Sequence, residues 1–198
     1  METQLDKYAR LCNEYPCQAE QIVQNQEDPT PITLMAREVL DEIRAYQDGT
    51  EGWEYLCVAA MRMADWLTDL PRLALQLKEA ALEKMQQVEH LLDDEDNELR
   101  ENLRQQADTL RANIQAADEK RWNDIIPSGH LKHDPVEWTQ AYEELIDEAE
   151  KEVYEHLNDV PRGMGFCFAY WAAKRDALVK RGIEWKSPAR MNPGVLFD

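Results

Sequence analysis

The spacing of apolar residues between positions 70 and 121 limits most tightly what this chain can become. Leu70, Leu73, Leu77, Ala81, Val88 and Leu91 fall on one line of a helix, flanked by Leu75, Leu82 and Met85. After the acidic tip Asp93-Asp94-Glu95-Asp96, a second line follows through Leu99, Leu103, Ala107, Leu110, Ile114 and Ala117. Steps of three and four bring side chains to one face of an α-helix and exclude the alternation of a half-buried strand. Two narrow stripes joined by a short polar tip describe an antiparallel helical hairpin. At about 1.5 Å per residue each arm is roughly 35 Å long. On this reading the seam residues mostly contact each other, and the hairpin 70–121 protrudes.

The remainder follows the same period. A first helix is expected from about Thr3 to Glu14, with Thr3 and Asp6 spaced as a capping box and Pro16 following its end. Thr30-Pro31 reads as N-cap and first turn of a helix that turns Ile32, Met35, Ala36, Val39, Leu40 and Ile43 to one side. Asp48-Gly49-Thr50-Glu51-Gly52 is its closing turn. Trp53 to Leu67 is apolar on most sides, which marks a central helix, and Pro71 opens the hairpin. Asp134-Pro135-Val136-Glu137 supplies a cap, a preorganised first turn and a reach-back carboxylate for a helix running to Leu157. Phe166 to Lys180 forms another helix, too aromatic in its first half for exposure, with cations at its C-terminal end and Gly182 as its terminator. The expected fold is an all-α multi-helix bundle of about seven helices, a single domain over 1–198, with a docked, irregular C-terminal tail at 183–198.

A chain of 198 residues can bury a sizeable core, and 43% hydrophobic residues with six Trp are too many for disorder. Acids among the first ten residues and the lack of any long apolar run point to a cytoplasmic protein without a membrane span. Cys57 and Cys167 sit in apolar runs, and Cys12 and Cys17 have no second pair to complete a zinc site, so thiols are expected. The formal charge is −18, yet residues 161–198 hold seven Lys and Arg against three acids. So acidic a body repels phosphate backbones, which argues against direct nucleic-acid binding and for a protein partner or self-association.

Candidate chemistry is sparse. His130 and His133 flank Leu131 and Lys132 in a loop beside Asp134, and imidazole is a common transition-metal ligand. A row at steps of four, Glu144, Glu148, Glu152 and His156, lies along one side of the following helix and could complete a divalent-metal site. The same row borders an apolar stripe of Trp138, Tyr142, Leu145, Ala149, Val153 and Leu157, which is the place of an ordinary solvated face. Glu-x-x-Glu and Glu-x-x-Asp pairs also occur, but with 40 acids roughly eight arise by chance. No phosphate loop, nucleophile elbow or Cys/His pair is present. In the tail, Trp185, Met191 and Phe197 are candidate partner-binding residues, with docking on the chain's own helices as the first expectation. The reading is a non-catalytic, acidic helical protein-interaction module without a cofactor. Its alternatives are a metal-dependent enzyme, such as a phosphohydrolase, built on the His/Glu cluster, and an acidic decoy of a nucleic-acid-binding protein.

Overall fold

A computed structural model describes residues 3–46, 51–127 and 130–197. The described residues form eight α-helices and no strand: α1 (Gln4–Gln24), α2 (Thr30–Ala45), α3 (Trp53–Asp65), α4 (Pro71–Gln87), α5 (Asp94–Asp118), α6 (Gln140–His156), α7 (Phe166–Lys180) and the single turn α8 (Pro188–Met191). The expected all-α, bundle-like class is therefore the observed one. The turn anticipated at Asp48–Gly52 lies mostly outside the described residues, as do Ser128 and Gly129. The helices divide between two compact units, Met1–Gln21 with Pro31–Arg111, and Ile22–Thr30 with Ala112–Asp198.

In the first unit, α1 opens on the anticipated box: Thr3 N–H donates to Asp6 Oδ2 at 3.0 Å and Asp6 N–H to Thr3 Oγ1 at 3.1 Å. The helix does not end before Pro16, as the sequence suggests, but runs on to Gln24. Proline lacks an amide hydrogen and leaves the carbonyl four residues earlier without its helical donor. That carbonyl belongs to Cys12, and Arg62 Nη1 of α3 donates to it at 3.2 Å. A guanidinium from another helix thus replaces the lost bond. Gly52, at φ +99°, precedes α3, and a Cβ there would lie 2.8 Å from Leu5 Cδ1. The start of α3 comes this close to α1 only without a side chain.

Helix α3 is central as expected, burying Trp53, Leu56, Cys57, Ala60 and Met63. It packs against α4, which buries Leu73, Leu77, Ala81 and Met85 together with Lys78 and Lys84. The hairpin partner α5 runs antiparallel to α4: Lys78 donates to Gln106 at 2.8 Å, Arg111 pairs with Glu79 at 2.8 Å, and Arg100 with Glu89 at 3.1 Å. Helix α4 therefore contacts α3 as well as α5, and its seam is not closed by α5 alone. Within this unit α5 buries Leu103 and Ala107. Its acidic tip serves a local purpose, since Asp93 Oδ1 accepts from Asp96 N–H at 2.9 Å and Asp96 Oδ2 accepts from Asp93 N–H at 3.2 Å. Carboxylates there satisfy orphan amides at the positive end of a helix.

In the second unit, α6 and α7 pack together, burying Tyr142, Ile146, Ala149 and Val153 from one and Phe166, Ala177 and Leu178 from the other. The helix expected from Val136 is split. Asp134 caps a 3-10 turn, Pro135–Trp138, and Thr139 then caps α6 through Tyr142 N–H at 3.3 Å. The Glu137 carboxylate, anticipated as a reach-back cap, is instead turned to the tail and accepts from Trp185 Nε1 at 2.6 Å. The boundaries of α7 and the αL glycine after it, Gly182 at φ +81°, are as anticipated. No described helix is long and apolar enough to cross a membrane.

Candidate functional site

The site candidates all lie in the second unit, where the tail closes over the loop that precedes α6. Trp185 is buried and donates to Glu137. Lys186 N–H donates to Asp134 Oδ2 at 2.6 Å. The Asn192 amide meets both main-chain groups of Lys132, accepting from its N–H at 2.9 Å and donating to its carbonyl at 2.8 Å. A side chain thereby imitates one rung of a strand ladder. The tail docks in cis, which commits Trp185 to the chain's own interior and removes it from the surface a partner could reach.

The histidines are not brought together with the glutamate row. His130 is exposed. His133 Nδ1 stands 3.1 Å from Glu137 Oε2, with the imidazole 41% and the carboxylate side chain 8% exposed. Glu144 accepts from Gln140 at 2.6 Å on the solvated face, and Glu148 and His156 are exposed. Glu152 is clasped by Lys180 and by Arg181 Nη1, the latter at 2.7 Å. These bonds hold its carboxyl below the usual glutamate range. The row is a wet helix border whose lower end ties α6 to the end of α7. Among the described residues, no three His, Cys, Asp or Glu side chains are grouped to hold a metal ion.

The most enclosed charges of the unit are not among the residues that the sequence singles out. Lys174 Nζ lies 2.9 Å from Glu150 Oε1, both side chains being 3% exposed. Tyr170 OH donates to the same oxygen at 2.7 Å. The ammonium also sits 5.4 to 5.8 Å from the rings of Tyr142, Tyr170 and Trp185, where the electron-rich faces favour it. Steps of four from Glu150 to Tyr154 and from Tyr170 to Lys174 are the available signal. It is a faint one, because charged residues on a helix are ordinarily outside. Burial, then the nearby Glu150 charge, push the Tyr154 phenol above its ordinary range.

This cluster is closed off from solvent, and three of the four thiols are at least partly covered. Burial pushes Cys57 up to about 12, which leaves it protonated and inert. Cys12 is buried while Cys17 is exposed, so the two are presented to different surroundings.

The accessible feature is apolar. Helix α7, expected to hide its aromatic half, hides only part of it. Phe166 is buried, Tyr170 and Trp171 are half-buried, and Phe168 is 51% exposed. The reason is geometric: Phe166, Tyr170, Lys174 and Ala177 occupy the face toward α6, and residues two positions away are carried to the other side. There Phe168 meets Trp171 edge to face at 5.5 Å, and Trp171 meets Phe197 of the tail in the same manner at 5.1 Å. Val195 is exposed, and Leu196 is 98% exposed. Of the three tail candidates, Phe197 joins this edge and Met191 is half-buried on α8. Such an edge can bury further apolar area against another molecule but holds no group for acid, base or nucleophilic work. No protein-family model, curated protein or solved structure matches the chain.

Proposed function

We propose that this protein is a non-catalytic, acidic helical interaction module, and that the outer edge of α7 with the end of the tail is the surface it offers to another polypeptide. The observation that carries this is the run of edge-to-face rings Phe168, Trp171 and Phe197 on the side of α7 turned away from α6. The inner face of α7 is already sealed by Phe166, Ala177 and Leu178, so folding of the unit does not require aromatics outside. Phe, Trp and Met are enriched where proteins meet, and a large apolar side chain taken from water contributes about 1.5 to 3 kcal/mol. Four free cysteines suit a reducing, cytoplasmic setting.

The test compares the wild-type chain with Phe168→Asp as baits in extract of the source cells, followed by reconstitution with the purified partner. A partner retained through high salt by the wild type and lost from a variant with unchanged melting temperature is the expected outcome. A partner held equally by both, or released by salt alone, would move the contact to the acidic surface and refute the α7 edge.

A further inference from the structure

We infer that Met164 is a modification site, a thioether presented for oxidation by a hydroperoxide to the sulfoxide. The inference does not depend on the α7 edge. Met164 is 93% exposed. Among the other described methionines, Met35, Met63 and Met85 are buried, and Met61 and Met191 are half-buried. Methionine serves a fold by filling irregular gaps in its core, and at this exposure Met164 fills none. It stands immediately before Gly165, the N-cap of α7. An apolar residue in that place commonly folds back as a staple onto the fourth residue of the helix, here Ala169. A staple is covered by the helix it closes, and Met164 is not covered.

The backbone is what holds this side chain out. Gly163 and Gly165 flank it at φ +118° and +82°, and a Cβ on either would meet nothing within 4 Å. Open space therefore borders the turn on both sides of Met164. The turn is also fastened. Gly163 N–H donates to Gln26 Oε1 at 2.8 Å, and the Gly163 carbonyl accepts from Phe166 N–H at 3.1 Å. The Gly165 carbonyl accepts from Phe168 N–H at 3.2 Å. Just before the turn, Arg162 Nη1 donates to the carbonyls of Leu157 and Val160, both at 2.9 Å. Two left-handed glycines cost chain entropy on folding. Here they frame one large apolar side chain in water, where a polar residue would serve the fold as well.

The reaction open to an exposed thioether is two-electron oxidation. A sulfur lone pair attacks one peroxide oxygen, and the S–O bond forms as the O–O bond breaks. The transferred oxygen gives up its proton, and the other oxygen leaves as water, or as an alcohol from an organic hydroperoxide. Sulfur is oxidised and the peroxide is reduced. The sulfoxide is polar. At Met63 or Met85 it would place an unsatisfied acceptor in the core, whereas at Met164 it stays hydrated and the packing is untouched. Met164 is thus a place where the chain takes up oxidant without unfolding and from which a sulfoxide reductase can restore the thioether.

The test treats the full chain, isotopically labelled at its methionine methyl groups, with hydrogen peroxide and follows each thioether by NMR. The label reports methionine alone, so oxidation of the thiols does not enter, and Met164→Leu identifies the signal. The Met164 signal should be lost at least about tenfold faster than those of Met61 and Met191, with Met35, Met63 and Met85 slower still. Conversion of Met164 should leave the melting temperature within about 2 °C of its starting value, and methionine sulfoxide reductases with dithiothreitol should bring the thioether signal back. Loss of Met164 no faster than Met61 or Met191 would show that its sulfur is shielded. A fall of several degrees on its conversion would show that it packs, and a sulfoxide that the reductases leave in place would end the reversible role. Each of these overturns the inference and leaves the α7 edge as it was.

Discussion

Helices α5 and α7 are inverted relative to each other. Within the first unit, α5 turns the uncharged Leu103 and Ala107 inward and carries its ions outside, in pairs such as Arg111 with Asp108 and, at 3.7 Å, Arg104 with Glu101. Helix α7 takes an ion inward, Lys174 against Glu150, and leaves Phe168 and Val179 outside. Exposed i,i+3 pairs contribute little stability and mainly keep a surface wet and specific in register. Folding asks only that the inner stripe be matched, and each outer face is free for another use. On α5 that use is solvation, and on α7 we propose that it is contact.

Breaking the inner face of α7 should have the largest effect. Lys174→Met leaves the Glu150 carboxylate buried without its counter-charge and should cost about 3 to 5 kcal/mol in urea unfolding. The inner face of α5 is tested by Leu103→Ala, for which the lost contacts and residual cavity predict about 2 to 4 kcal/mol. Trp185→Phe keeps most of the ring and removes the donor to buried Glu137, with an expected loss of about 1.5 to 3 kcal/mol. Phe168→Ser on the outer face of α7 should stay within about 0.5 kcal/mol of the wild type. A loss as large as that of Leu103→Ala would show that the edge is core and would erase the inversion.

The smallest effect concerns pH. The Glu152 carboxyl is held below the usual glutamate range by its bonds to Lys180 and Arg181. Its contribution is therefore present above the usual glutamate range and is lost as pH falls through the depressed value. In Glu152→Gln the difference from the wild type should be visible at neutral pH and close on acidification below that value. A difference that widened with acid would contradict the clasp at the end of α7.

The sequence was most legible where a local rule had no long-range competitor. The start of α1 at Thr3 and Asp6, the opening of α4 at Pro71 and the limits of α7 between Gly165 and Gly182 all follow from chemistry within a few residues. Reading failed where a distant group supplied what the local rule assumed missing. Pro16 does not stop α1 because Arg62, 46 positions away, takes the orphaned carbonyl of Cys12. Glu137 does not cap because Trp185, 48 positions away, donates to it. The surface proposed for contact was legible in part. Phe197 stands out in the tail, but Phe168 and Trp171 read as interior, because aromatic density says how much apolar surface a helix carries and not how many sides it covers. Glu150 and Lys174 stay hidden because no spacing within a single helix shows that two charges on different helices will meet.

The fastening of the tail has a consequence for how the protein is made. Asp134 and Glu137 are buried acids, and the groups that satisfy them, Lys186 N–H and Trp185 Nε1–H, are 52 and 48 residues further along the chain. Asn192, the side chain that pairs with Lys132, comes 60 residues after it. During synthesis the loop and α6 are complete long before these partners leave the ribosome. Until then both carboxylates must stay hydrated, and Tyr142 lacks the Lys174 ammonium that later lies 5.8 Å from its ring. The second unit therefore cannot complete these contacts until translation has passed position 192. A chain interrupted before that point presents two bare acids beside an open aromatic floor, the kind of surface by which a cell tells an unfinished protein from a finished one.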